Sequence, residues 1–157
     1  MSIEIGEFRA VLGHFASGVV IVTSVDDGEP VGMTCQSFFS LSLDPPLIAV
    51  APGRSSTSWP RLARSGKFCV NVMEARQEAL ARTFSQSGAD KFAGVGWSPA
   101  ANGTPRLHGA LTWLDCQIRN VHDEGDHFLV TAEVVGLESG EGQPLLFYRG
   151  GFGGFTA

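Results

Sequence analysis

Hydrophobic and polar positions along the chain change period several times. Near the N-terminus Ile5, Phe8, Leu12 and Phe15 recur at spacings of three and four, which predicts an amphipathic helix over residues 4 to 17, stopped by Gly18. Val19–Val25 is a β-branched run followed by Asp26-Asp27-Gly28-Glu29, a turn signal, so a hairpin is expected with its second strand running to Thr34. Leu47–Ala51 reads as a short buried strand. A short helix through Trp59–Leu62 follows, with Ser56 or Ser58 as its cap, Pro60 early in it and Gly66 closing it. Phe68–Met73 is a further strand, and residues 74 to 87 are rich in good helix formers. Residues 88 to 106, rich in Gly, Ala and Pro, predict an irregular excursion. Leu114–Ile118 alternates apolar with polar residues, His122–Asp126 marks a tight turn, and strands are expected at His127–Leu137 and Pro144–Arg149.

This inventory is mostly short strands with a few helices, without the regular strand–helix alternation of a doubly wound parallel sheet. No Gly-x-Gly-x-x-Gly opens a helix after a strand, which argues against a Rossmann-type nicotinamide site. Closing the strands into a barrel removes their exposed edges. A length of 157 residues suits a single domain spanning 1–157, and the 43% hydrophobic and 17% charged composition is globular. The net charge of −5 argues against nucleic acid as the main partner. Neither a signal peptide nor a membrane-length apolar run is recognisable, so a cytoplasmic location without membrane attachment is expected. Cys35, Cys69 and Cys116 are widely spaced, with no Cys-x-x-Cys and no zinc-type spacing to histidine; they read as reduced, mostly buried small hydrophobes and imply no metal.

Chemistry concentrates in Gly32–Ser58, where a polar loop leads through Phe38–Phe39 and a strand to Arg54-Ser55-Ser56-Thr57. Hydroxyls, a guanidinium and the first N–H groups of the following helix would suit a phosphate, although a plain helix cap with spare serines accounts for the pattern equally well. Gly125-Asp126-His127 would project an imidazole from a strand end into a cleft, or form a turn with an exposed histidine. Asp90-Lys91-Phe92 could serve a planar anionic ligand or be a surface lysine beside a packing aromatic. No nucleophile elbow or defensible catalytic triad is present, and the acid pairs Asp26–Asp27 and Asp123–Glu124 read as solvated turn residues.

Taken in order, Phe8–Thr23, Gly32–Leu47, Phe68–Val72, the Phe84–Phe92 segment, Gly103–Cys116, Gly125–His127 and Pro144–Phe152 resemble the short-chain flavin reductases, the reductase components of two-component flavin-dependent monooxygenases. The resemblance spans nearly the whole chain. It implies a mainly β fold with flanking helices, an FMN-binding split β-barrel, usually a homodimer with flavin near the subunit interface. The implied reaction is hydride transfer from NADH or NADPH to FMN, or FAD, with reduced flavin passed to a monooxygenase. By the same resemblance Thr34, Cys35, Gln36 and Ser37 line the isoalloxazine edge with Ala51 near it. Ser55, Ser56 and Thr57 hold the ribityl phosphate, Phe84 and Lys91 close the flavin site, and His127 orients the nicotinamide. Cys35 and Gln36 stand where many relatives carry a small residue and Ser or Asn, a place where flavin preference can be set. The competing readings are a non-catalytic flavin carrier and a related FMN-dependent oxidase.

Overall fold

The computed structural model describes residues 2–88 and 90–157; Met1, and Ala89 within the 88–106 stretch, lie outside the described residues. The chain opens with α1 (Ile5–Leu12), β1 (Ser17–Gly18), the hairpin β2 (Val20–Asp26) and β3 (Glu29–Cys35), then β4 (Phe38–Leu43) and β5 (Pro46–Val50). Next come α2 (Trp59–Arg64), β6 (Lys67–Val72), α3 (Glu78–Phe84) and the small hairpin β7 (Trp97–Pro99) and β8 (Pro105–Leu107). Two long strands follow, β9 (Thr112–Glu124) and β10 (His127–Ser139), then β11 (Leu146–Tyr148) and β12 (Gly151–Gly153).

Seven strands form one antiparallel sheet in the order β3-β2-β6-β9-β10-β5-β4. Its two edge strands share a single core: Val31 and Cys35 from β3 pack with Val22, Val70, Cys116, Val130 and Ile48, and Phe38 from β4 packs on the same cluster. A sheet whose opposite edges meet one core is curled into a barrel. Among the described residues no ladder joins β3 to β4, so the barrel is split along that seam. The apolar run Val19–Val22, which leads into β2, is continuous instead of alternating. Val20 and Val22 face the barrel interior while Val19 and Ile21 enter a second cluster with Phe84, Leu107 and Leu145 outside it, so both faces are covered. The β2–β3 turn places Asp27 and Gly28 at positive φ (52° and 80°), the backbone a two-residue hairpin with right-handed strand twist requires.

Several boundaries differ from the sequence pattern. α1 ends at Gly13, whose N–H bonds the Arg9 carbonyl at 2.9 Å, so Phe15 lies beyond the helix and Gly18 belongs to β1. The apolar face of α1 is not covered: Phe8 is 55% and Val11 60% exposed. Residues 88 to 106 are not wholly irregular, since β7 and β8 pair there. The main-chain N–H of Leu107 bonds Asn71 Oδ1 (2.8 Å), and Thr23 Oγ1 donates to the Pro105 carbonyl (2.6 Å), which staples the hairpin to the sheet. Phe38–Leu43 is a strand the pattern did not announce, because a bulge between Ser40 and Ser42 breaks its alternation. Asp123 and Glu124 are strand residues, not turn residues: β9 runs on to Glu124, and only Gly125 and Asp126 turn, with Gly125 at φ 64°. Asp26 is likewise no solvated turn acid, for it is 7% exposed and held by Arg61 and Arg64.

Candidate functional site

The end of β3, the loop between β5 and α2 and the end of α3 enclose a pocket of about 230 Å3. Met33 and Thr34 form its floor from β3, Gly53 and Ser55–Ser58 one side, and Phe84–Ser87 with Lys91 the other. Thr34, Ser55, Ser56, Thr57, Phe84 and Lys91, dispersed over 58 sequence positions, are thus brought together.

Lys91 organises this pocket. Its half-buried Nζ donates to the carbonyls of Gly32 and Phe84 and to Ser58 Oγ, each at 3.1 Å. These bonds use the three donors of an ammonium, yet no carboxylate neutralises it among the described residues. Burial holds its pKa below the ordinary lysine value. The result is a fixed positive charge beside a cluster of hydroxyls, the electrostatics an incoming anion would complete.

Ser55, Ser56 and Thr57 are not equivalent. Ser56 Oγ accepts the N–H groups of Ser58 (3.2 Å) and Trp59 (3.1 Å) and donates to Met33 Sδ at 3.7 Å. Ser56 Oγ therefore takes the N–H groups of Ser58, the N-cap residue of α2, and of Trp59, its first residue, and Pro60 supplies no N–H. Ser55 and Thr57 are exposed, and among the described residues their hydroxyls bond no protein atom. Thr34 Oγ1 donates to the Ala81 carbonyl at 2.7 Å, which fastens α3 to β3.

Two expected ligand side chains are core residues. The Phe84 ring is fully buried, in edge contact with Phe92 at 4.9 Å, and sits so close to Gly32 that a Cβ there would lie 2.8 Å from Cε2. Phe84 thus cannot close over a ligand with its ring; it anchors Lys91 through its carbonyl. The Cys35 side chain is in the barrel core and burial pushes its thiol up to about 12, leaving only its backbone for a ligand. Cys69 and Cys116 are buried free thiols as expected.

Gln36, Ser37 and Ala51 lie outside the pocket, at the β3–β4 seam. Ser37 Oγ donates to the Ala51 carbonyl (3.0 Å) and accepts its N–H (3.1 Å), clasping the end of β5, while the Gln36 side chain is exposed. This group adjoins the pocket at both ends, since Thr34 precedes Gln36 and Gly53 follows Ala51.

His127 reaches the pocket rim through pairing that spacing alone does not reveal. Gly53 and His127 form an antiparallel bridge, and the imidazole lies over Gly53, with Nε2 only 3.7 Å from where a Cβ would stand. Its Nδ1 bonds Asp126 Oδ1 at 2.7 Å, and this bond, with the charge of His127, holds the Asp126 carboxyl below its ordinary pKa. Arg54 is turned away from the pocket: Nε bonds the Gly125 carbonyl (2.7 Å) and Nη2 bonds Asp123 (2.8 Å). The residues sequence spacing overlooked are Gly53, Ser58 and Ser85–Ser87; the polar run after Phe84 was the visible signal for the last three.

Comparison with known proteins agrees with this architecture. Residues 12–156 match the flavin reductase like domain. A flavin reductase of Pseudomonas putida is 47% identical over 152 residues, covering 96% of this chain and 89% of that protein. The reductase subunit HsaB of a flavin-dependent monooxygenase from Rhodococcus jostii is 47% identical over 154 residues, covering 98% and 79%. The structure of the Streptomyces globisporus NADH:FAD oxidoreductase SgcE6, in complex with NAD and FAD fragments, superposes with a TM-score of 0.90 at 37% identity, over 96% of this chain and 92% of that one. By sequence profile, close relatives and split-barrel fold, this chain belongs to the flavin reductase like family.

Proposed function

We propose that the protein is an NAD(P)H:flavin oxidoreductase that transfers a hydride from a reduced nicotinamide to FMN or FAD and supplies the reduced flavin to a partner monooxygenase. The observation that carries this reading is the Lys91 pocket: a fixed cation, with no carboxylate beside it among the described residues, supplies a positive potential next to the uncommitted hydroxyls of Ser55 and Thr57, and together they suit a phosphate monoester or diester. A pocket of about 230 Å3 is smaller than the roughly 300–1,000 Å3 of sites that take a whole drug-sized ligand, so it suits the phosphate end of a flavin. Gln36, Ser37 and the backbone from Thr34 to Ala51 would hold the ring. When bound, the flavin supplies the hydride acceptor and the nicotinamide the donor; the protein contributes binding, orientation and electrostatics. Lys91 and the free hydroxyls fix the anionic end. The Asp126 bond leaves His127 Nε2 for the nicotinamide side, where it orients the second substrate. A flavin carrier would have no use for a histidine so held, which favours the enzyme.

The protein acts as one domain and as a homodimer. Exposed Phe8, Val11 and Leu12 on α1, with Leu43 and Leu137 on the barrel, supply apolar surface for a second copy, and light scattering of the purified protein tests it. Among the described residues no helix is long and apolar enough to cross a membrane. The three buried free thiols suit a reducing compartment, and we place the protein in the cytoplasm.

Turnover tests the reading. Purified protein mixed with FMN or FAD and NADH or NADPH should consume the nicotinamide absorbance faster than the no-enzyme control in at least one pairing. No acceleration in any pairing would sink the assignment.

A further inference from the structure

The tip of the β9–β10 hairpin carries His127, yet it lies at the far end of two 13-residue strands, where residues 119 to 127 are all exposed. Such a tip has little core of its own to hold it. What fastens it is Arg54. Its main-chain N–H bonds the Asp126 carbonyl (2.9 Å), Nε bonds the Gly125 carbonyl (2.7 Å), and Nη2 bonds Asp123 (2.8 Å). The guanidinium also lies 4.7 Å from the centroid of the Phe128 ring, whose N–H in turn bonds the Pro52 carbonyl at 2.9 Å. The next residue after Arg54 is Ser55, one of the two uncommitted hydroxyls of the pocket.

We infer that Arg54 is a positioning residue: it locks the hairpin tip so that the His127 imidazole stays over Gly53, and it ties that register to the Ser55–Thr57 loop. Its contribution to the reaction runs through His127 and not through contact with a phosphate. The ion pair with Asp123 is the weakest part of the clamp, since both side chains are well exposed (42% and 76%) and solvent screens them. The bond to the Gly125 carbonyl and the stacking on Phe128 carry more, because they fix the backbone and the face of the turn. The kinetic consequences rest on the flavin reductase reading; the structural consequence does not.

The test uses Arg54→Met, which keeps an apolar stem over Phe128 and the main-chain N–H but removes the side-chain donors, in the wild-type and His127→Gln backgrounds. In the wild type the nicotinamide KM should rise about fivefold, with kcat and flavin affinity within about twofold, as expected when one oriented contact to a substrate is loosened. In the His127→Gln background the same substitution should leave KM unchanged, because residues acting through one another are non-additive. An equal rise in both backgrounds, or a matching loss of flavin affinity, overturns the inference. Independently of turnover, amide exchange at Phe128 should quicken about tenfold in Arg54→Met, since a local opening becomes easier. Unchanged exchange there overturns the inference even if the enzyme is active; a quickened exchange in a protein that oxidises no nicotinamide supports the clamp and counts only against the reductase reading. Arg54→Lys, which keeps the charge without the fork geometry, should fall between the two and serves if Arg54→Met does not fold.

Discussion

Lys91 and His127 both present nitrogen to the site, and the chain holds them by different means. Lys91 is half-buried, has every donor bonded, and is held between β3, the start of α2 and the end of α3 at the pocket wall. His127 is 51% exposed on its side chain, stands on a two-residue turn, and has one side-chain bond, to an Asp126 that is 97% exposed. Burying a cation without a counter-charge costs stability that an ordinary core residue would not. That cost makes sense where a ligand brings the missing negative charge. An open histidine makes sense where a second substrate must arrive and leave in every cycle. On the proposed reading the half-buried wall holds the flavin and the open wall exchanges the nicotinamide.

The contrast can be broken most severely at Lys91. Lys91→Met strips the partner from two carbonyls and the Ser58 hydroxyl and removes the site's fixed charge. We expect FMN affinity to fall about thirtyfold in a fluorescence titration, from the loss of the positive charge beside the phosphate, an effect of about 2 kcal/mol. The nicotinamide KM measured at saturating flavin should barely change. Gly32→Ala tests the packing behind the same wall. The new Cβ would sit 2.8 Å from the Phe84 ring and 3.2 Å from the Val22 carbonyl. Overpacking of this kind should cost about 1–3 kcal/mol in denaturant unfolding. On the open wall, His127→Ala should raise the nicotinamide KM about tenfold while flavin affinity stays within about twofold; equal losses of both would erase the distinction between the walls.

The smallest effects are those of pH, and they separate the walls by sign. Burial lowers the Lys91 pKa, so its charge is lost as pH rises through that lowered value, earlier than for a free lysine. FMN affinity should therefore weaken on alkaline titration by a few-fold more than that of riboflavin, which lacks the phosphate. The bond from His127 lowers the Asp126 pKa, so its carboxylate persists at neutral and mildly acid pH and is lost only as pH falls below the usual aspartate range of about 3.9. The nicotinamide KM should accordingly be insensitive to Asp126 across the neutral range, and carboxyl NMR shifts of that residue check it.

The strands with continuous or alternating apolar residues were legible in the sequence because burial on one or two faces dictates their composition; Val20–Asp26 and Leu47–Val50 are examples. β4 and the β7–β8 hairpin were not, since a bulge and three-residue strands leave too few positions to carry a period. The helical spacing of Phe8, Leu12 and Phe15 overstated α1, because an apolar face left uncovered within the chain does not reveal where the backbone turns. In the site, residue types pointed to the hydroxyl cluster, while Lys91 was singled out by the family resemblance and not by its residue type. Residue types could not divide Ser55, Ser56 and Thr57 between bonded and free hydroxyl, nor tell that the Phe84 ring faces Gly32, nor that Arg54 reaches across to Gly125. Those roles depend on contacts between segments distant in sequence, such as the bridge from Gly53 to His127.

A crystal structure of the protein with FMN tests the division of labour between the walls most directly. The phosphate should lie in the Lys91 pocket, with its oxygens within about 3 Å of the Ser55 and Thr57 hydroxyls, and the His127 imidazole should remain over Gly53, open to a second ligand. A phosphate bound outside that pocket, or a flavin resting on His127 with the Ser55 and Thr57 hydroxyls still unbonded, would contradict the account.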